Sequence, residues 1–162
     1  MSQPLRGGER VQLLFLGLTV LWSAGFARHT KAMTTVVAAL IERDGRILIC
    51  QRRQGQAHEL KWEFPGGKVE AGETPESALQ RELREELGIE AKVDGEITRY
   101  EYTYPNRAAI LLIFFRVTGF SGEPRNLVFE RMEWEPRERL PQYDFLEGDI
   151  EFIKSGKFIR TC

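Results

Sequence analysis

A length of 162 residues favours one domain, and 42% hydrophobic against 29% charged residues supplies the apolar side chains for a single core. The 23 basic and 24 acidic residues leave a net charge of −1, which excludes the general electrostatic footprint of a duplex nucleic-acid binder. Cys50 and Cys162 have no metal-binding spacing and are expected as two free thiols in a reducing compartment.

Residues 1–32 differ from the rest. Arg6 and Arg10 precede an apolar run from Val11 to Phe26, and Ser23 to Ala27 is rich in small residues. A charged start, apolar middle and small-residue exit is the layout of a signal peptide. The run is short for a membrane anchor, which needs about 20 apolar residues. A third reading takes Met33 as the natural start, because a strand pattern begins at Thr34. The expected organisation is an extension over 1–32, signal-like or dispensable, followed by one domain over 33–162.

Thr34 to Ile41 is β-branched and apolar, the pattern of a buried strand. Asp44-Gly45 is a hairpin signal, with Arg46 to Gln51 as the return strand. A polar loop follows, from Arg52 to His58. Arg52 and Arg53 read either as surface charge or as planar forks for a phosphate. Trp62 is expected in the core. The adjacent Gly66 and Gly67 let the backbone approach a ligand closely.

From Thr74 the pattern becomes helical. Thr74 suits the N-cap, Pro75 the first helical position and Gly88 the left-handed C-cap. Leu79, Leu83 and Leu87 form an apolar stripe. Glu82, Glu85 and Glu86 crowd one side, and Glu86 projects about 20° from Leu79, at the margin of that stripe. A partly buried carboxylate among like charges is costly unless something pairs it. A hard divalent cation such as Mg2+ resolves the conflict.

Beyond the helix, Ala91–Tyr104 and Ala108–Phe120 read as strands joined by a turn at Tyr104-Pro105-Asn106-Arg107. Ile110 to Phe115 is continuously apolar and expected to be buried on both faces. Leu127 to Trp134 reads as a further strand. A last helix is expected from Ile150 to about Ser155, with Asp149 suited to its N-cap.

One spacing carries more than these local patterns. Gly67, five residues, Glu73, seven residues, Arg81-Glu82-Leu83, one residue, Glu85-Glu86, one residue, Gly88-Ile89 resembles the Nudix box at every fixed position. The wider run from Trp62 to Glu76 resembles the MutT-like branch, which includes 8-oxo-dGTP and CTP pyrophosphohydrolases. The resemblance covers roughly residues 34–158. It implies the α/β (α+β) Nudix fold, an α/β/α sandwich around a mixed β-sheet.

It also implies Mg2+, with Mn2+ as a substitute, held by the Gly66 carbonyl, Glu82, Glu85 and Glu86. Glu82, Glu85, Glu86 and Arg81 become the catalytic candidates, with Glu82 as candidate general base. Arg53, His58, Glu63, Phe64, Pro65, Gly66 and Asp149 become candidate nucleotide contacts. Gly67, Glu73 and Gly88 are structural within the motif, and Glu130 or Glu133 lies near a further metal-linked carboxylate of relatives. The implied reaction converts a nucleoside triphosphate and water to the monophosphate and pyrophosphate.

Relatives place a base-reading Asn or Asp where Asp149 stands. An ionised Asp only accepts hydrogen bonds, so it favours an amino-bearing base edge such as that of cytosine or adenine. Protonated, it also serves oxidised guanine. Two alternatives remain: a hydrolase of another nucleoside diphosphate derivative such as ADP-ribose, and a non-catalytic nucleotide-binding module. The expected partner is a small-molecule nucleotide, on a monomer or homodimer. No membrane is expected unless 1–32 anchors the chain. The expected location is the cytoplasm, since export would separate the enzyme from its nucleotide pool.

Overall fold

Runs of β-branched and aromatic residues build the central strands of the structure, a computed structural model that describes residues 33–157. The readings placed on 1–32 and on Cys162 lie outside the described residues. β1 is Thr34–Arg43 and β2 is Arg46–Gln51. Asp44 and Gly45 between them both have positive φ, 52° and 71°, as a two-residue type I′ turn requires. Two short strands follow, β3 at Trp62–Glu63 and β4 at Gly66–Lys68, which single-sequence patterning does not reveal. Then come α1 (Pro75–Leu87), β5 (Glu90–Tyr102), β6 (Ile110–Ser121), β7 (Arg131–Pro136), a 3-10 helix (Arg137–Gln142) and α2 (Glu147–Ser155).

The sheet runs β3-β2-β1-β6-β5, with β4 on β1 and β7 on β2. β1 and β6 are parallel and the other pairs antiparallel, so the sheet is mixed. The continuous apolar run in β6 divides by the period of two. Ile113 and Phe115 join the core under α1 with Leu79, Leu83 and Leu87, while Leu112 and Phe114 join the core under α2 with Phe152 and Ile153. One helix therefore covers each face, the α/β/α sandwich of the expected fold.

Two expectations near the C-terminal end need correction. The strand expected at Leu127–Trp134 lies at Arg131–Pro136, because 127–130 is used as a loop whose amides bond to the ends of α1 and β2. α2 begins at Glu147 rather than Ile150, capped at Leu146 with no side-chain bond. Asp149 thus sits inside the first turn and is not the N-cap.

Candidate active site

Local sequence places α1 accurately. Thr74 Oγ1 accepts the Ser77 amide at 3.1 Å, Ser77 Oγ accepts the Thr74 amide at 3.0 Å, and Gly88 closes the helix at φ 68°. The buried leucine stripe fixes the rotation of the helix about its axis. Glu82 and Glu86 consequently face the glycine-rich strand β4, and Glu85 lies further out.

The two glycines make that approach possible. Gly66 has φ +147°, and a Cβ there would collide with the Val37 carbonyl. A Cβ on Gly67 would overlap the Glu82 carboxylate. The Gly66 amide donates to Glu86 Oε2 at 2.9 Å. Arg81 joins loop to helix: Nε donates to Glu73 Oε1 at 2.8 Å, Nη1 to Glu82 Oε1 at 2.9 Å, and Nη2 to the Lys68 carbonyl at 3.0 Å. This bonding holds the Glu73 carboxyl down at about 2, first through Arg81 and then through the Glu70 amide.

Glu86 is under the opposite stress. Burial, then the charges of Glu63 and Glu82, push its carboxyl up to about 9, against the Gly66 amide and Arg52. The residues fit a hard divalent cation, since all the donors are oxygens and their mutual repulsion is what a cation would relieve. Among the described residues, however, no three His, Cys, Asp or Glu side chains are gathered as a ready cage. Glu82 is engaged by Arg81 and Glu86 by an amide. Glu85, 61% exposed, stands 3.6 Å from Arg81.

One cavity adjoins this helix, and a second shares Arg52 and Glu63 with the first. The acidic cleft, of about 280 Å³, is lined by Arg52, Gln56, Glu63, Glu82, Glu85, Glu86, Val128 and Phe129. A second cavity of about 330 Å³ is lined by apolar residues of β1 and β6, by Phe64, Gly66, His58 and Tyr104, and by Asp149. Asp149 reaches it because the chain before α2 is bonded to β3: Trp62 N–H donates to the Asp144 carbonyl at 2.9 Å and Leu146 N–H to the Trp62 carbonyl at 2.8 Å. Asp149 Oδ2 then accepts the Phe64 amide at 3.1 Å, and burial raises its carboxyl well above the ordinary value. Burial also raises Glu63, offset by Arg52. Phe64 packs on Phe145 and Phe152 at 5.4 and 5.6 Å, and the His58 and Tyr104 rings lie 5.0 Å apart.

The structure therefore brings together Glu63, Gly66, Glu82, Glu85 and Glu86 around the cleft and strand β4, and His58, Phe64 and Asp149 around the larger cavity. It separates others from both. Arg53 is exposed and turned toward the carbonyls of Phe129 and Leu127, at 3.4 and 3.5 Å. Pro65 is buried, with its carbonyl accepting the Ala39 amide at 2.8 Å. Glu130 and Glu133 are exposed and line neither cavity. Trp62 is core, edge-on to Tyr143. Of the lining residues, Arg52 was read in the sequence as a phosphate fork on equal terms with Arg53, while Tyr104 and Arg107 carried no functional signal. The last two lie in or beside a turn whose reach depends on β5 and β6.

The family model described as the NUDIX domain matches residues 31–155. A CTP pyrophosphohydrolase of Escherichia coli is 39% identical over 130 residues, covering 80% of this chain and 96% of its own. An 8-oxo-dGTP diphosphatase of Haemophilus influenzae is 44% identical over 124 residues, covering 76% of this chain and 90% of its own. A crystal structure of a MutT NUDIX hydrolase from Burkholderia pseudomallei matches with a TM-score of 0.68 at 30% identity, over 75% of this chain and 95% of its own.

Proposed function

Because the chain belongs to the Nudix family of hydrolases, which act on phosphoanhydride bonds, we propose that it cleaves a nucleoside triphosphate to the monophosphate and pyrophosphate. The substrates named for its relatives, CTP and 8-oxo-dGTP, are the leading candidates. Removal of such nucleotides from the precursor pool is the corresponding role. The observation that carries the reading is the adjacency of a base-sized cavity ending on Asp149 to a cleft of four carboxylates.

Family members generally use divalent metals. Here Glu82, Glu85, Glu86 and the Gly66 carbonyl would hold Mg2+ or Mn2+. The bound ion supplies charge neutralisation on phosphate and a more acidic bound water. The chain's own residues do the rest. Arg81 orients Glu82, which serves as general base. Glu73 keeps Arg81 in place. Phe64 and the walls of β1 and β6 exclude water from the base, and Asp149 meets its polar edge. Residues 33–162 form the catalytic domain of this proposal, working in the cytoplasm as a monomer or homodimer. Among the described residues no helix is long and apolar enough to cross a membrane.

A hydrolysis panel tests the reading: canonical, methylated and oxidised (deoxy)nucleoside triphosphates beside ADP-ribose, with and without Mg2+. Turnover of a triphosphate to monophosphate is expected, lost in Glu86→Gln by about 100-fold or more, the scale set by removing an essential charged group from a reaction centre. Preference for ADP-ribose would overturn the substrate assignment. Binding without turnover in the wild type would overturn the catalytic one.

A further inference from the structure

The Arg52–Glu63 ion pair occupies the boundary between the two cavities, for both residues line both of them. Its guanidinium is fixed from two sides. Nε donates to the Ala57 carbonyl at 2.8 Å, and Nη1 donates to Glu63 Oε2 at 2.8 Å and Oε1 at 3.1 Å. Nη2 takes part in none of these bonds. The backbone is tied as well, with Arg52 N–H donating to the Lys61 carbonyl at 2.9 Å and Leu60 N–H to the Arg52 carbonyl at 3.2 Å. The pair is largely shielded, at 26% and 14% side-chain exposure. Among the described residues lining the acidic cleft, Arg52 is the one cation facing four carboxylates.

A nucleotide that fills the base cavity and reaches the carboxylates must pass this pair. A planar fork held through two nitrogens presents its third in a fixed direction, which a flexible lysine does not. We propose that Arg52, pinned on Glu63, sets the register of the polyphosphate. Its Nη2 edge takes the phosphate nearest the nucleoside as the chain crosses from cavity to cleft. One particular anhydride bond is thereby laid against the carboxylates. The inference rests on the triphosphate reading above.

In the proper register, water oxygen bonds to one phosphorus of the α–β linkage, the anhydride P–O bond breaks, and the group on the other phosphorus (pyrophosphate for attack at Pα, the monophosphate for attack at Pβ) leaves with the bridging oxygen and the bonding electrons. The water proton passes to a carboxylate. A chain slipped by one phosphate breaks the β–γ bond by the same balance, giving the nucleoside diphosphate and phosphate. Arg52 is thus a positioning residue, and bond choice is the property it controls.

The full chain, with Mg2+ and either CTP or 8-oxo-dGTP, is assayed for both kcat and KM, and products are separated by anion exchange. Wild type is expected to release monophosphate and pyrophosphate. Arg52→Lys and Arg52→Gln are expected to raise KM about tenfold and to divert about a tenth or more of turnover to the diphosphate, since misplacement of the reacting group by about 1 Å is costly. Glu63→Gln, which frees the fork but keeps the cation, is expected to show the same diversion. A merely structural role would lower activity or Tm without changing which bond breaks. Unaltered product ratios in the folded variants overturn the inference, and if Arg52→Gln does not fold, Arg52→Lys decides. A wild type that makes no monophosphate from either compound overturns the triphosphate reading instead.

Discussion

At the residue scale, the sharpest contrast is between carboxylates of one type in different surroundings. Glu73 and Glu86 lie 13 positions apart. One is held near 2 by a guanidinium and an amide, the other near 9 by burial and like charge. Asp149 belongs with the second kind, with one oxygen engaged by the Phe64 amide. Asp149→Asn keeps an acceptor for that amide and adds a donor. We expect it to shift the kcat/KM ratio of CTP to 8-oxo-dGTP by about tenfold away from CTP, a difference of about 1.4 kcal/mol in transition-state binding. An unchanged ratio, measured by competition between the two, would remove Asp149 from base recognition. Its role was open in the sequence because Asp also suits an N-cap. The structure removes the cap reading by starting α2 three residues earlier, at Glu147.

At the element scale, α1 is held by caps at both ends and by Arg81 at its centre. Arg81 ties helix to loop through Glu73, Glu82 and the Lys68 carbonyl. Glu73 gives this knot a pH signature. Its folded pKa lies below the ordinary 4.5, so its stabilisation is complete above that value and is lost as pH falls toward about 2. The Tm of wild type should therefore exceed that of Glu73→Gln by a constant margin from about pH 5 upward. The margin should shrink below pH 4.5 and vanish near 2. A margin that persists at the acid end would mean that packing, not charge, makes the difference. The helix and its caps were legible because every determinant lies within a few residues. Strands β3 and β4 were not, being two and three residues long and defined by partners elsewhere.

For the molecule as a whole, the sheet separates two cores, and each carries a different part of the site. The core under α1 fixes the carboxylates. The core under α2 holds Phe64 and brings Asp149 to the cavity. Phe152 links that second core, stacked on Phe114 at 4.2 Å and edge-on to Phe64 at 5.6 Å. Phe152→Ala should cost about 3–5 kcal/mol of stability, from lost burial and the void left behind. Below its reduced Tm it should raise KM by more than it lowers kcat, because the carboxylate cluster rests on the opposite face. Equal losses in both would mean that the two cores do not act independently.

Periodicity, capping chemistry and motif spacing were sufficient to determine α1, the hairpin of β1 and β2, the face presented by Glu82 and Glu86, and family membership. Each is set by residues close in sequence or by a rigid helical repeat. Tertiary structure alone decided that Arg52 rather than Arg53 faces both cavities, that Asp149 lies inside the first turn of α2, and that Glu63 joins cavity to cleft. Those outcomes depend on which distant backbone closes over which side chain, as when the Phe64 amide meets Asp149 across 85 positions. A local pattern cannot encode such a pairing, because it is the packing of both cores against the sheet that brings the two segments within bonding distance.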